Sequence, residues 1–162
     1  MKKAFTMIEL IFVIVILGIL AAVALPKFLG VAQQAHEGNL KSFVGTLNRS
    51  VGPNIWSKAI ASSNADGKVT SLTGADQNLS TYVDIPKEFN QTDVNLSQYC
   101  GQGTYQVILT APASKAGTNY TVACQDGNVS HSMTFRLYKN DSTAQGNTPS
   151  TSATCIAGPG CE

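Results

Sequence analysis

Apolar residues recur along this chain in three rhythms, and each rhythm predicts a different kind of element. Between residues 5 and 25 only Thr6 and Glu9 carry polar side chains in FTMIELIFVIVILGILAAVAL. As a helix, 21 residues reach about 32 Å, enough to cross the hydrocarbon core of a bilayer. Beyond Pro26 the apolar positions thin to three- and four-residue steps: Phe28, Val31, Ala32, Ala35, Leu40, Phe43, Val44, Leu47, Val51 and Ile55. Lys27, Gln33, Gln34, Glu37, Lys41 and Arg49 fall between them, the pattern of a helix with one buried face. The two stretches predict one helix over residues 5–62, bent at Pro26 and bent or broken at Gly52-Pro53. Gly30, Gly38 and Gly45 each weaken it by up to about 1 kcal/mol, so it needs a packing partner.

The partner is predicted from the third rhythm. Residues 104–111, 119–124 and 132–138 read as strands, with Val107 and Leu109, then Met133, Phe135 and Leu137, on alternating positions. Gly117 and Asp126-Gly127-Asn128 supply turns between them. The fold class expected is α+β: a long N-terminal stalk helix laid against an antiparallel meander of three or four strands. Residues 63–81 read as a polar loop, and 139–162 as a polar surface tail.

Charge sharpens the picture. Lys2 and Lys3 precede the apolar run, which keeps the N-terminus cytoplasmic and sends the rest outward. Charged residues make up 13%, about half the globular norm, which suits an extracytoplasmic surface. No basic run and no interleaving of basic and aromatic residues appears, so no nucleic-acid partner is expected. Glu9 is the anomaly. A carboxylate inside a membrane segment costs roughly 2.5–3.5 kcal/mol, so it either pairs with something or sits solvated at headgroup depth.

KKAFTMIELIFVIVILGILAAVALP resembles the N-terminal signature of the type IV pilin superfamily, which holds pilins, minor pilins and type II secretion pseudopilins. The resemblance covers residues 1 to about 30. It implies a leader over residues 1–4 cut between Ala4 and Phe5, N-methylation of Phe5, and Glu9 as the fifth mature residue, setting assembly register. Pro26 matches a proline frequent in the family. Ala4 departs from the usual Gly, though it is the next smallest side chain. The resemblance further implies a homo-oligomeric filament, a prepilin peptidase/methyltransferase, and an assembly platform with its ATPase. The expected route is an inner-membrane prepilin with a periplasmic head, then a periplasmic or extracellular filament. Physical chemistry agrees: cleavage exposes an α-amino group of pKa near 8 that pairs with a neighbour's Glu9. Leaving one partner unpaired in an apolar bundle costs about 3–5 kcal/mol. Cleavage at Ala4 removes two of the 11 basic residues and none of the 10 acidic ones, giving a mature side-chain charge of −1. The organisation expected is therefore leader 1–4, transmembrane and assembly helix 5–26, amphipathic stalk 27–62, β head 63–138 and tail 139–162. The alternative is a secretory signal cut after Ala24, at Ala22-Val23-Ala24, releasing a soluble binding protein.

All four cysteines lie in the exported part, where disulfides persist. Three pairings are open. Cys100–Cys124 with Cys155–Cys161 is favoured: the first staples two strand candidates, and the second closes the loop IAGPG. C-x5-C without a nearby His is poor zinc spacing, and Asp126-Gly127-Asn128 reads as a turn before it reads as a calcium ligand set. No metal and no cofactor are expected. His36 and His131 stand far apart in the chain, and G-x-S-x-G, H-E-x-x-H, P-loop and C-x-x-C patterns are absent, so no enzyme is expected.

One further pattern remains. N-x-[ST] occurs at Asn48, Asn78, Asn90, Asn95, Asn119, Asn128 and Asn140. At Asn78, Asn90, Asn95 and Asn128 an acid stands two residues earlier, although acids are only 10 of 162 residues. The D/E-x-N-x-S/T form looks like the acceptor of bacterial periplasmic N-glycosylation, and those four asparagines are the candidates. Turn chemistry, which also gathers Asp, Asn, Gly and Ser, is the competing explanation.

Overall fold

The computed structural model describes residues 6–161. The expected leader, residues 1–4, and Phe5 lie outside the described residues. Two units can be distinguished, Met1–Ala35 and His36–Glu162. A helix α1, Met7–Thr46, runs through the end of the first and the start of the second, and its helical hydrogen bonding continues past Pro26.

In the first unit α1 is apolar on all sides. Every Met, Ile, Leu, Val and Phe between residues 7 and 25 is between 42% and 81% exposed. This stretch is long and apolar enough to cross a membrane. Its N-terminus is closed locally: the N–H groups of Glu9 and Leu10 donate to the Thr6 carbonyl at 3.1 and 3.3 Å. Thr6-x-x-Glu9 has the residue types of a capping box, and the Thr6 hydroxyl lies 3.5 Å from Glu9 Oε2. Glu9 also stands in the first turn, where the helix dipole favours an anion.

In the second unit the amphipathic stripe finds its core. Leu40, Phe43, Val44 and Leu47, then Val51, Ile55 and Ala59, are all buried. Burial starts later than the sequence stripe implies, since Val31, Ala32 and Ala35 are exposed. The helix does not break at Gly52-Pro53. A π-helical turn, Leu47–Val51, leads into α2, Gly52–Ala61, with the Gly52 N–H bonded to the Leu47 carbonyl. Pro53 brings no N–H to the ladder, and the wider turn takes up the mismatch. Gly52 is required by proximity: a Cβ there would stand 2.8 Å from the Met133 carbonyl oxygen.

The sheet is antiparallel in the order β1-β2-β3-β4: Gln106–Ala111, Tyr120–Gln125, Thr134–Lys139 and Thr154–Ala157. A bulge between Val107 and Leu109 breaks the expected alternation, and Val107, Ile108 and Leu109 are all buried. Between β1 and β2 a helical turn α3, Ala113–Ala116, ends on Gly117 at φ +80°, the left-handed conformation that glycine adopts without strain.

Two segments expected to be surface loop or tail are structural. In 63–81, Val69, Leu72 and Leu79 reach the core from 3-10 turns, which need only isolated apolar residues and no periodic pattern. The tail from residue 140 first runs along the outer edge of β1, where the Val107 N–H donates to the Asn147 carbonyl and the Gly146 N–H to the Val107 carbonyl, both at 2.8 Å. It then returns as β4 beside β3. Backbone pairing covers both sheet edges with few apolar side chains, only Ile156 and Ala157 of β4 packing against the core, so composition concealed it.

Candidate functional site: the apolar helix and its anchored continuation

The candidate site is α1, and each unit supplies a distinct part of it. In the first unit, Glu9 is the single ionisable side chain among the described residues before Lys27. Its neighbour within the chain is the Thr6 hydroxyl at 3.5 Å, too long for a strong bond. Around it stand Met7, Ile8, Leu10 and Ile11, all exposed. A carboxylate set in unburied apolar surface can pair with a cation from outside the chain. Ala4 and Phe5, the expected cleavage and methylation residues, lie outside the described residues.

In the second unit, polar groups hold the helix against the sheet at chosen points. The Glu37 carboxylate accepts from Lys139 Nζ at 2.7 Å on β3, from Lys41 Nζ at 2.8 Å one turn on, and from the Tyr120 hydroxyl at 3.2 Å on β2. Bonding to Lys139, then to Lys41, pulls Glu37 down to about 2, well below the ordinary carboxylate value. The same bond raises Lys139. Further along the helix, Asn48 does what a strand neighbour would do. Its Nδ2 donates to the Phe135 carbonyl at 2.9 Å and its Oδ1 accepts from the Phe135 N–H at 2.9 Å. Phe135 precedes the stretch of β3 that β4 pairs, residues 137–139, so a helix side chain satisfies backbone that no strand reaches. Trp56 closes the far end by donating its indole N–H to the Asn128 carbonyl at 2.7 Å. Neither the Asn48 nor the Glu37 role is legible in sequence, because their sheet partners lie more than 80 residues away.

The cysteines are joined as Cys100–Cys124 and Cys155–Cys161, with Cα atoms 4.9 and 5.2 Å apart. The first ties the segment before β1 to β2, beside the bond from the Gly101 N–H to the Cys124 carbonyl. The second closes a loop whose Pro159 carbonyl accepts from Arg136 Nε at 2.6 Å.

His36 and His131, the histidines weighed for chemistry, are not brought together. His36 Nδ1 faces Glu88 Oε1 at 3.1 Å, and His131 Nε2 faces the Asn128 carboxamide at 2.8 Å. Asp126 is buried behind the turn. One oxygen accepts from the Val69 and Gly127 N–H groups, and burial pushes the carboxyl above its ordinary value. Asp141 is equally buried. Desolvation raises it, but donors on Thr143, Thr121 and Ser150 outweigh that and hold it below its ordinary value. Among the described residues no group of three His, Cys, Asp or Glu side chains is placed to hold a metal.

The candidate acceptor asparagines differ sharply. Asn95 caps the helical turn Leu96–Tyr99 through the Gln98 N–H, and Asn128 accepts from the Ser130 and His131 N–H groups. Asn78 is half-buried and Asn90 is exposed.

Residues 1–25 match the family described as prokaryotic N-terminal methylation motif. The chain is also similar to the type IV narrow pilus major component PilA5 of Thermus thermophilus, 53% identical over 38 residues. That stretch is 24% of this chain and 33% of the relative, so the similarity spans about a third of the relative's length. No solved structure matches the chain.

Proposed function

We propose, from the membership of the type IV pilin superfamily that the N-terminal motif and the pilin relative support, that this chain is a structural filament subunit. It enters the inner membrane as a prepilin, with its N-terminus cytoplasmic and its head periplasmic. A prepilin peptidase/methyltransferase cuts after Ala4 and methylates Phe5. A platform and its ATPase then move the subunit from the bilayer into a filament of identical subunits, a type IV pilus or a type II secretion pseudopilus. The relative's description, a narrow pilus component, supports the pilus form. The chain works as a structural element and not as an enzyme.

One observation carries this reading: an N-terminal methylation motif opens a helix whose apolar side chains are exposed on every side and broken only by Glu9. Apolar surface at about 25 cal/mol per Å² drives both membrane residence and, once extracted, helix bundling. The Glu9 carboxylate pairs with the Phe5 amine of the next subunit, and that pairing selects the register.

Mass spectrometry of the N-terminal peptide from membrane fractions tests it. The expected peptide begins at Phe5 with a methylated amine. A mature chain beginning at Leu25 overturns the filament reading and establishes a soluble secreted protein instead.

A further inference from the structure

The four acid-preceded N-x-[ST] sites are alike in sequence, and the fold separates them. At Asn95 both neighbours, Val94 and Leu96, are buried, and the side-chain oxygen is spent on the Gln98 N–H. At Asn128 the carboxamide oxygen caps the turn through Ser130 and His131, its nitrogen faces His131, and the preceding acid, Asp126, is buried. At Asn78 the next residue, Leu79, is fully buried with its N–H bonded to the Val94 carbonyl, and Asp76 is held by Lys58 at 2.6 Å. The Asn95 and Asn128 carboxamide oxygens are already engaged by backbone N–H groups, whereas Asn78 is half-buried beside a fully buried residue.

Asn90 is different. Its side chain is exposed and makes no hydrogen bond among the described residues, while its backbone N–H is fixed by the Thr110 carbonyl at 2.9 Å. Phe89, packed on Phe43 with ring centroids 5.7 Å apart, anchors the segment so that Asn90 and Thr92 face outward. Asn90 lines an open hollow together with Thr110, Asn119, Ser142 and Thr143. The acid of the motif, Glu88, faces His36 of α1 at 3.1 Å, and its side chain is 16% exposed.

We propose that Asn90 is the preferred N-glycosylation acceptor of the four. The donor class is an oligosaccharide linked through diphosphate to a membrane lipid. Asn90 Nδ2 bonds to the anomeric carbon, the bond from that carbon to the diphosphate oxygen breaks, the lipid diphosphate leaves, and Nδ2 loses one proton. Glu88 and Thr92 are read by the transferase, and Asn90 supplies the nucleophile. A glycan belongs in solvent, so the surface around Asn90 remains uncovered after assembly. The inference rests on export of the head, not on filament formation.

The full chain co-expressed with a bacterial periplasmic oligosaccharyltransferase and its lipid-linked donor, alongside an acceptor protein known to be modified there, supplies the test. Glycopeptide mass spectrometry is expected to place the adduct on the peptide containing Asn90. It is expected to vanish in Asn90→Gln and Thr92→Ala, to fall in Glu88→Gln, and to persist in Asn95→Gln. A bare Asn90 peptide in cells that modify the control acceptor overturns the proposal, as does an adduct confined to Asn78, Asn95 or Asn128. The same map reads the Cys100–Cys124 disulfide and the N-terminus. An oxidised head with bare Asn90 removes the glycan and leaves the filament reading standing, whereas modified Asn90 on a chain starting at Leu25 removes the filament reading alone.

Discussion

The two parts of α1 are both rich in Leu, Val and Ile, and the chain buries those side chains in only one of them. Between residues 7 and 25 each large apolar residue is exposed, whereas Leu40, Val44 and Leu47 have no accessible surface at all. The difference lies in arrangement. Around the first stretch apolar residues occupy every side, so no single sheet could cover it, and it is long and apolar enough to cross a membrane. Along the second they occupy a stripe, which one sheet face can cover. The polar residues follow suit. Among the described residues Glu9 has only the Thr6 hydroxyl beside it, at 3.5 Å, while Glu37 is answered inside the chain by Lys139, Lys41 and Tyr120.

Glu9→Val breaks the comparison at its most sensitive point. It makes the first stretch uniformly apolar, so membrane insertion and leader cleavage are expected to proceed unchanged. Filament assembly is expected to fail, because each added subunit buries an unpaired amine at about 3–5 kcal/mol. Immunoblots of sheared filaments against membrane fractions measure both. Filaments at normal abundance would remove Glu9 from any registering role.

A matched pair of truncations sharpens the contrast. Leu47→Ala opens a cavity in the head core and is expected to cost about 2–5 kcal/mol in urea unfolding of the head in detergent. Leu17→Ala, the same chemistry on the exposed stretch, is expected to move head stability by no more than about 0.5 kcal/mol. Equal losses would mean that the exposed stretch is integral to the head's cooperative unit.

A smaller loss than that of Leu47→Ala belongs to Glu37. Its folded pKa, about 2, lies below the ordinary 4.5. The contribution is therefore complete above pH 4.5 and disappears as pH falls from there through about 2. Lys139 is raised above 10.5, so its share is complete below that value and is lost as pH climbs through the raised one. Because these groups are partly solvated, Glu37→Gln is expected to cost only about 1 kcal/mol at pH 7, and less in high salt. Denaturation midpoints for both proteins at neutral pH and near pH 2 read this directly. Coincident midpoints at pH 7 would show the cluster to be decorative.

Sequence alone determined the parts of this protein that depend on local chemistry. An apolar run of membrane length, an amphipathic stripe of period 3.6 and three strand runs each announce themselves, because side-chain spacing along one element is enough to place its faces. The N-terminal motif with Glu9 in register is likewise a matter of consecutive residues. Tertiary structure decided whatever depends on distant backbone. β4 and the loop along β1 come from a stretch with few apolar residues, because a sheet edge asks its neighbour for N–H and carbonyl groups, which every sequence carries. Asn48 reads as one more N-x-[ST] tripeptide until Phe135 of β3 arrives beside it. The four acid-preceded asparagines, indistinguishable as strings, become one exposed side chain and three that the fold constrains. What separates them is how far each asparagine is exposed and, at Asn95 and Asn128, the bonds its carboxamide already makes, and only the folded chain supplies those.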